Sequence, residues 1–202
     1  GGDHSCPLGL IKALDDTQKE SFGILHVDAH HDLREAYEGF TYSHASIFYN
    51  VLNECKNVSK LIQVGIRDYS KEESQRMINL GDKGDCLYDT AMQAQIATGK
   101  SLEEVFTPYI EQLPKNVYIS IDIDGLEPLN CPNTGTPVPG GLRYGELEHL
   151  IFMVVKSGRK IIGFDLVEVG DSKNGWDANV GSRVLYNLCG ALLASQGKIE
   201  YR

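Results

Sequence analysis

The chain has 202 residues and a formal net charge of −9. That balance argues against a nucleic-acid partner, which asks for a basic stripe, and is compatible with a cationic substrate or bound metal. No apolar run approaches the roughly 20 residues that cross a bilayer, so no membrane partner is expected.

The length predicts one domain over residues 1–202. The opening Gly1-Gly2-Asp3-His4-Ser5 reads as a turn after a strand, so a preceding N-terminal part is expected to be missing. Ser5 and Pro7 predict the start of a helix whose apolar stripe is Leu8, Ile11 and Leu14. The apolar run 22–27 predicts a buried strand, followed by a loop over 33–42 and a helical stretch over 45–52 that His44 opens. A second strand is expected over 60–66, ending at Arg67-Asp68. Ser70-x-x-Glu73 and Ser101-x-x-Glu104 are capping boxes, predicting helices to about Leu80 and to Leu113. Residues 81–88 read as a polar turn region with one short strand. The clearest strand is 117–124, with Val117, Ile119, Ile121 and Ile123 on one face and Ser120, Asp122 and Asp124 on the other. Residues 126–142, rich in Gly and Pro, predict a long ordered loop. A helix over 144–156, a strand over 160–169, a polar loop over 171–179, a helix over 180–195 and a short strand over 198–201 complete the reading. Alternating strands and helices predict an α/β fold with a mostly parallel sheet and helices on both faces.

Asp28, His30 and Asp32 fall on alternate positions beyond the first strand, so in an extended chain they share a face. Carboxylate and imidazole ligands suit Mn, Fe or Zn, and the absence of a nearby thiolate leans away from structural zinc. Asp122 and Asp124 at the end of a central strand repel each other unless a cation or proton lies between them. Together with His4 and Glu168, these residues sit at predicted strand ends, where open parallel sheets gather ligand groups. Five scattered cysteines, odd in number and without Cys-x-x-Cys spacing, predict reduced thiols in a cytoplasmic protein.

Gly1-Gly2-Asp3-His4-Ser5, Asp28-Ala29-His30-His31-Asp32, Ser120-Ile121-Asp122-Ile123-Asp124-Gly125, the Thr134 to Gly141 loop and Asp165-Leu166-Val167-Glu168-Val169 resemble, in order, the motifs of the ureohydrolase superfamily of arginases and agmatinases. The resemblance implies a three-layer α/β/α sandwich and two Mn²⁺ ions per chain. His4, Asp28, Asp32 and Asp122 would hold one ion. His30, Asp28, Asp122 and Asp124 would hold the other. It implies catalytic roles for Glu168, paired with a guanidinium, for His44, a proton relay to the leaving amine, and for Asp32, which is also a ligand of the first ion. A small cationic guanidino substrate and a homo-oligomer, trimer or hexamer, are also implied. His26 and His149 are expected to be packing or surface residues, and His31 is not expected to be a ligand.

The loop 33–44 is closer to agmatinase-like members, which points to agmatine hydrolysed to putrescine and urea. Glu35 or Glu38 would meet the distal ammonium, whereas Arg34 would suit a substrate carboxylate, as in a guanidinobutyrase or formiminoglutamase. Arginase activity, a catalytically silent homologue and related deacetylase chemistry are the alternatives. Glu127 stands where the family usually has Asp, and Gly170-Asp171 replaces its usual Asn-Pro.

Overall fold

The computed structural model describes residues 1–171 and 173–200. Its centre is a parallel sheet of β1 (Phe22–Val27), β2 (Val58–Val64), β3 (Gly84–Leu87), β4 (Asn116–Asp122) and β5 (Lys160–Val167), in the order β3-β2-β1-β4-β5. The helices are α1 (Leu8–Thr17), α2 (Ile47–Glu54), α3 (Lys71–Asn79), α4 (Asp89–Ala97), α5 (Leu102–Ile110), α6 (Tyr144–Lys156) and α7 (Trp176–Ser195).

Successive side chains of a strand point to opposite faces, and here both faces are covered. Leu25, Ile62, Val117 and Ile119 pack with Phe106, Leu150 and Leu188 in one core. Ile24, Leu61 and Tyr118 pack with Ile11, Phe48 and Met77 in the other. The result is the expected three-layer α/β/α sandwich. The chain winds outward through β2 and β3 on one side of β1, then returns to its other side with β4 and β5. The carboxyl ends of β1 and β4 therefore flank the point where the winding reverses, the place where such sheets bind ligands.

Several boundaries differ from the sequence reading. Both capping boxes form, at Ser70/Glu73 and Ser101/Glu104. The helix behind the second stops at Ile110, where the chain tightens: the Gln112 amide bonds Tyr109 O and the Leu113 amide bonds Ile110 O. Strand β4 ends at Asp122, whose carboxylate accepts the Asp124 amide at 2.9 Å and turns residues Ile123–Gly125 into a tight 3₁₀ turn. Strand β5 stops at Val167, two residues early. The last helix starts at Trp176 rather than Val180, since Asn174 accepts the Trp176 amide. Helix α4 was not expected: Met92 is its buried apolar residue, so no apolar stripe announces it. Residues 198–200 form no strand. The Lys198 amide instead folds back onto the Leu193 carbonyl, and Tyr201 lies outside the described residues. Among the described residues no helix is long and apolar enough to cross a membrane.

Candidate metal centre

The floor of the site is built from two strand ends and one turn. Asp28 follows β1 directly, and Asp122 closes β4. They come this close because residue 125 is glycine: a Cβ there would lie 2.8 Å from the Asp28 amide nitrogen. His4 enters from the turn before α1, held by its own amide, which donates to Glu168 Oε1 at 2.8 Å.

His4 Nδ1 lies 3.0 Å from Asp32 Oδ2, 3.1 Å from Asp28 Oδ2 and 3.3 Å from Asp122 Oδ2. His30 Nδ1 lies 3.3 Å from Asp28 Oδ1 and 3.2 Å from Asp124 Oδ2. Asp28 is thus shared by both groups, one oxygen to each. His4, Asp28, Asp32, Asp122 and Asp124 are all buried, and His30 is part-exposed. All six residues named from the sequence as metal ligands come together.

The route differs from the expectation. Asp28, His30 and Asp32 do not lie along an extended strand, since Asp32 has a left-handed backbone with φ +53°. Asp122 stands outside the tightest group of ligand atoms, and His26 stands inside it with His4, Asp28 and Asp32. His26 is therefore neither surface nor simple packing: fully buried, its Nε2 bonds Asp28 Oδ2 at 2.8 Å. His31 is also buried and turns away from the cluster toward Gln63.

The charge balance asks for a cation. Burial disfavours an imidazolium at His4, yet contacts with Asp122, Asp28 and Asp32 outweigh it and hold the ring well above the ordinary histidine range. Burial likewise opposes a charged His30, but Asp124 and Asp28 push it up to about 11. Burial and the neighbouring Asp28 raise Asp32 to about 7. Burial with Asp28 and Asp124 holds Asp122 well above the usual carboxylate range, and burial with Asp28 raises Asp124. Asp28 itself stays well below the usual carboxylate range: burial works against this, and the surrounding histidines, His26 first, prevail. Raised imidazoles and carboxylates around one depressed aspartate are the response of a site arranged for positive charge.

One atom tests whether a metal fits. His4 Nδ1 is buried and makes no hydrogen bond, although three carboxylate oxygens face it. On the far side of the ring, Nε2 meets Ser120 Oγ at 2.9 Å, and that hydroxyl donates to Asp165 Oδ1 at 2.9 Å. A serine that donates to Asp165 accepts from His4 Nε2–H, so once the ring gives up its Nδ1 proton the lone pair left there faces the carboxylates. That is the tautomer a metal ligand needs, fixed by an outer partner. The donor set, imidazole nitrogen and carboxylate oxygen without thiolate, suits a borderline or hard divalent ion.

The cluster opens into a cleft of about 340 Å³ whose lining includes Asp68, Glu73, Glu168, His44 and Arg34. Glu168 sits just past β5 with φ +58°, fixed on both sides by backbone bonds: its amide to Gly2 O, its carbonyl to Thr134 Oγ1. His44 begins the turn before α2, with its ring 5.5 Å from that of Tyr37. Glu35 pairs with Arg76 at 3.1 Å, and Glu38 sits at the tip of an exposed turn; neither lines the cleft. Arg34 does line it, with its charge engaged by Glu73 at 3.5 Å.

Two features escaped the sequence reading. Arg67 spends its guanidinium on the carbonyls of Gly65, Asp124, Leu126 and Val138, tying the loop 126–142 to the strand ends. Asp177, at the start of α7, holds Asn133 through its amide and its side chain, both at 2.9 Å. The same loop reaches the cluster through Thr136, which donates to Asp124 Oδ2. Glu127 bonds Asn130 within the loop, so its exchange for Asp leaves the cluster alone. Gly170 is required where it stands, because a Cβ would fall 1.9 Å from the Asn133 carbonyl oxygen.

Residues 1–190 match the model of the arginase family. The chain is 36% identical over 190 residues to the N(1)-aminopropylagmatine ureohydrolase of Thermus thermophilus, covering 94% of this chain and 60% of that protein. It is 35% identical over 175 residues to the agmatinase of Halalkalibacterium halodurans, covering 84% of this chain and 54% of that one. Among solved structures, the agmatine ureohydrolase of Thermoplasma volcanium superposes with a TM-score of 0.75 at 27% identity, over 98% of this chain and 61% of that one. The chain thus spans somewhat more than half the length of these relatives. With the ordered motifs, the sheet and the His/Asp cluster in agreement with that match, the chain belongs to the arginase family.

Proposed function

We propose that the protein hydrolyses a guanidino C–N bond to release urea, with agmatine as foremost substrate and putrescine as the second product. The site would take two Mn²⁺ ions, one on His4, Asp28, Asp32 and Asp122, the other on His30, Asp28, Asp122 and Asp124. The observation that carries the reading is the bare, buried His4 Nδ1 turned toward three carboxylate oxygens at the floor of an open cleft. Divalent ions bound there supply Lewis-acid charge and a strong oxygen nucleophile at neutral pH.

The chain's own residues do the rest. A guanidinium is a poor, resonance-stabilised electrophile, so it must be held and oriented. Glu168 gives a carboxylate suited to bidentate pairing with it, and the bond from the His4 amide sets that carboxylate's direction. His44, at the cleft wall, passes a proton to the departing amine. Asp68 favours a second positive charge on the substrate. Because Glu73 engages Arg34, the cleft offers little to a substrate carboxylate, which favours agmatine over a guanidino acid. The names of the agmatine-acting relatives support the same choice. A cytoplasmic homo-oligomer, trimer or hexamer, completes the reading.

The test is urea release by manganese-loaded protein against agmatine, arginine, guanidinobutyrate and formiminoglutamate (for the last, release of formamide), with metal counted on the same sample. Turnover of agmatine alone with about two ions per chain supports the reading. Two ions with product from another substrate moves the assignment to that substrate. Two ions without product from any of them points to a silent homologue, and no metal uptake refutes the mechanism.

A further inference from the structure

Gln63 is the polar residue in the buried stretch 61–64 of β2, and it is completely shielded from water. A buried amide in a central strand is costly unless each donor and its acceptor are used. Here they are. Its Nε2 lies 2.8 Å from the His31 carbonyl oxygen and 2.8 Å from His26 Nδ1, and its Oε1 faces His31 Nδ1.

These contacts can run in one direction. A carbonyl oxygen only accepts, so the bond to His31 O fixes which end of the Gln63 amide carries hydrogen. Oε1 must then accept, which puts the His31 proton on Nδ1. Nε2 must donate to His26 Nδ1, which leaves the His26 proton on Nε2, pointing at Asp28 Oδ2 2.8 Å away. His31 Nε2 is left free to accept from the Tyr88 hydroxyl at 3.3 Å. Apart from the Gln63 proton given to His31 O, the side-chain protons from Tyr88 inward are directed toward the one aspartate that both His4 and His30 contact.

We infer that Gln63 is a positioning residue: by setting the His26 tautomer, it holds the Asp28 side chain in the orientation that serves both halves of the site. The inference rests on the reading of Asp28 as a shared metal ligand. Outer partners of this kind commonly change metal affinity by about 10–100-fold.

Two measurements decide it. The first is long-range ¹H–¹⁵N spectroscopy of the histidines in the metal-free protein. His26 is expected to be protonated on Nε2 and His31 on Nδ1; a His26 Nδ1–H or a His31 Nε2–H tautomer overturns the inference. The second is Mn²⁺ affinity by calorimetry for Gln63→Leu, with folding checked by circular dichroism. A loss of about 10–100-fold is expected, and binding within about twofold of the parent protein overturns the inference. Should Gln63→Leu fail to fold, Gln63→Glu keeps the shape and, at a pH where its carboxyl ¹³C shift shows it ionised, can only accept, so a proton is expected to appear on His26 Nδ1; its absence overturns the inference. If the parent protein takes up no Mn²⁺, the proposed function fails, and the tautomers still decide the direction of the chain of bonds.

Discussion

Arg67→Ala is the perturbation that best separates this description from a looser one. The side chain is part-buried and bonds four backbone carbonyls: Gly65 O at 3.0 Å, Asp124 O at 2.7 Å, Leu126 O at 3.1 Å and Val138 O at 3.0 Å. A hydrogen bond to a charged donor can exceed an ordinary one, but solvent reaches part of this group. Taking about 1 kcal/mol for each of the four gives a loss of about 4 kcal/mol, against about 0.5 kcal/mol for an ordinary surface change. The glycines at 140 and 141 close over the guanidinium, since a Cβ at Gly141 would lie 2.8 Å from Nη2. Truncation therefore also frees the segment that brings Thr136 to Asp124. The assay is urea unfolding of the metal-free chain at constant m-value. Arg67→Lys keeps the charge and loses the planar fork, so it should recover about half of the loss. A change under about 1 kcal/mol for Arg67→Ala refutes the clamp. A lysine variant as stable as the parent shows that charge, and not fork geometry, does the work.

Three further outcomes follow from the site. Glu168→Gln keeps an acceptor for the His4 amide and removes the charge, so kcat/KM should fall about 10–150-fold, as for loss of a charged hydrogen bond, while Mn²⁺ uptake stays put; a matching fall in uptake would assign Glu168 to the metal corner instead. Metal must expel the protons that stand in for it. With Asp32 near 7 and His30 near 11, calorimetric Mn²⁺ affinity should weaken as pH falls, and log K against pH should steepen by about one below pH 7; a flat profile contradicts the assignment. Gly170→Ala drives a methyl to 1.9 Å from the Asn133 carbonyl and should cost about 1–3 kcal/mol by thermal or urea unfolding, and an unchanged midpoint would mean the loop yields freely.

The parts of the site that lie on strands were readable because apolar runs fix where a strand ends, and a parallel sheet fixes which ends meet. Asp28 and Asp122 follow from Phe22–Val27 and Asn116–Asp122 in that way. Asp124 was placed on the wrong geometry: it reaches His30 through a turn that the Asp122 carboxylate caps, and alternation along a strand does not contain that turn. Gln63 carried a signal, a polar residue inside an apolar strand, whose partners 32 and 37 positions away are visible only after folding. Arg67 gave none, because its acceptors are carbonyls, which every residue possesses. Helix α4 was missed for a related reason: its sequence lacks the apolar stripe that normally marks a helix on a sheet.

The same residues show why this cluster must be held from outside. Five ionisable side chains that approach one another in the interior repel, resist burial or take up protons. Two residues at the site, Asp32 and Glu168, also adopt left-handed backbones, which costs a non-glycine residue about 1–2 kcal/mol each. Local contacts do not offset such terms, since the metal-free cluster is itself the source of strain. What offsets them lies around it: Gly125 lets two strand ends meet, Arg67 and Asp177 pin the loop above, and Thr134 and Gly2 fix Glu168 by its backbone. None of these contacts engages the side chain of a proposed metal ligand. A site assembled this way is preorganised for cations before they arrive, so metal binding relieves repulsion already built into the fold instead of ordering loose ligands. The fold is then expected to survive metal removal and to gain stability from metal by mass action, a gain that shrinks as pH falls and more protons must be displaced.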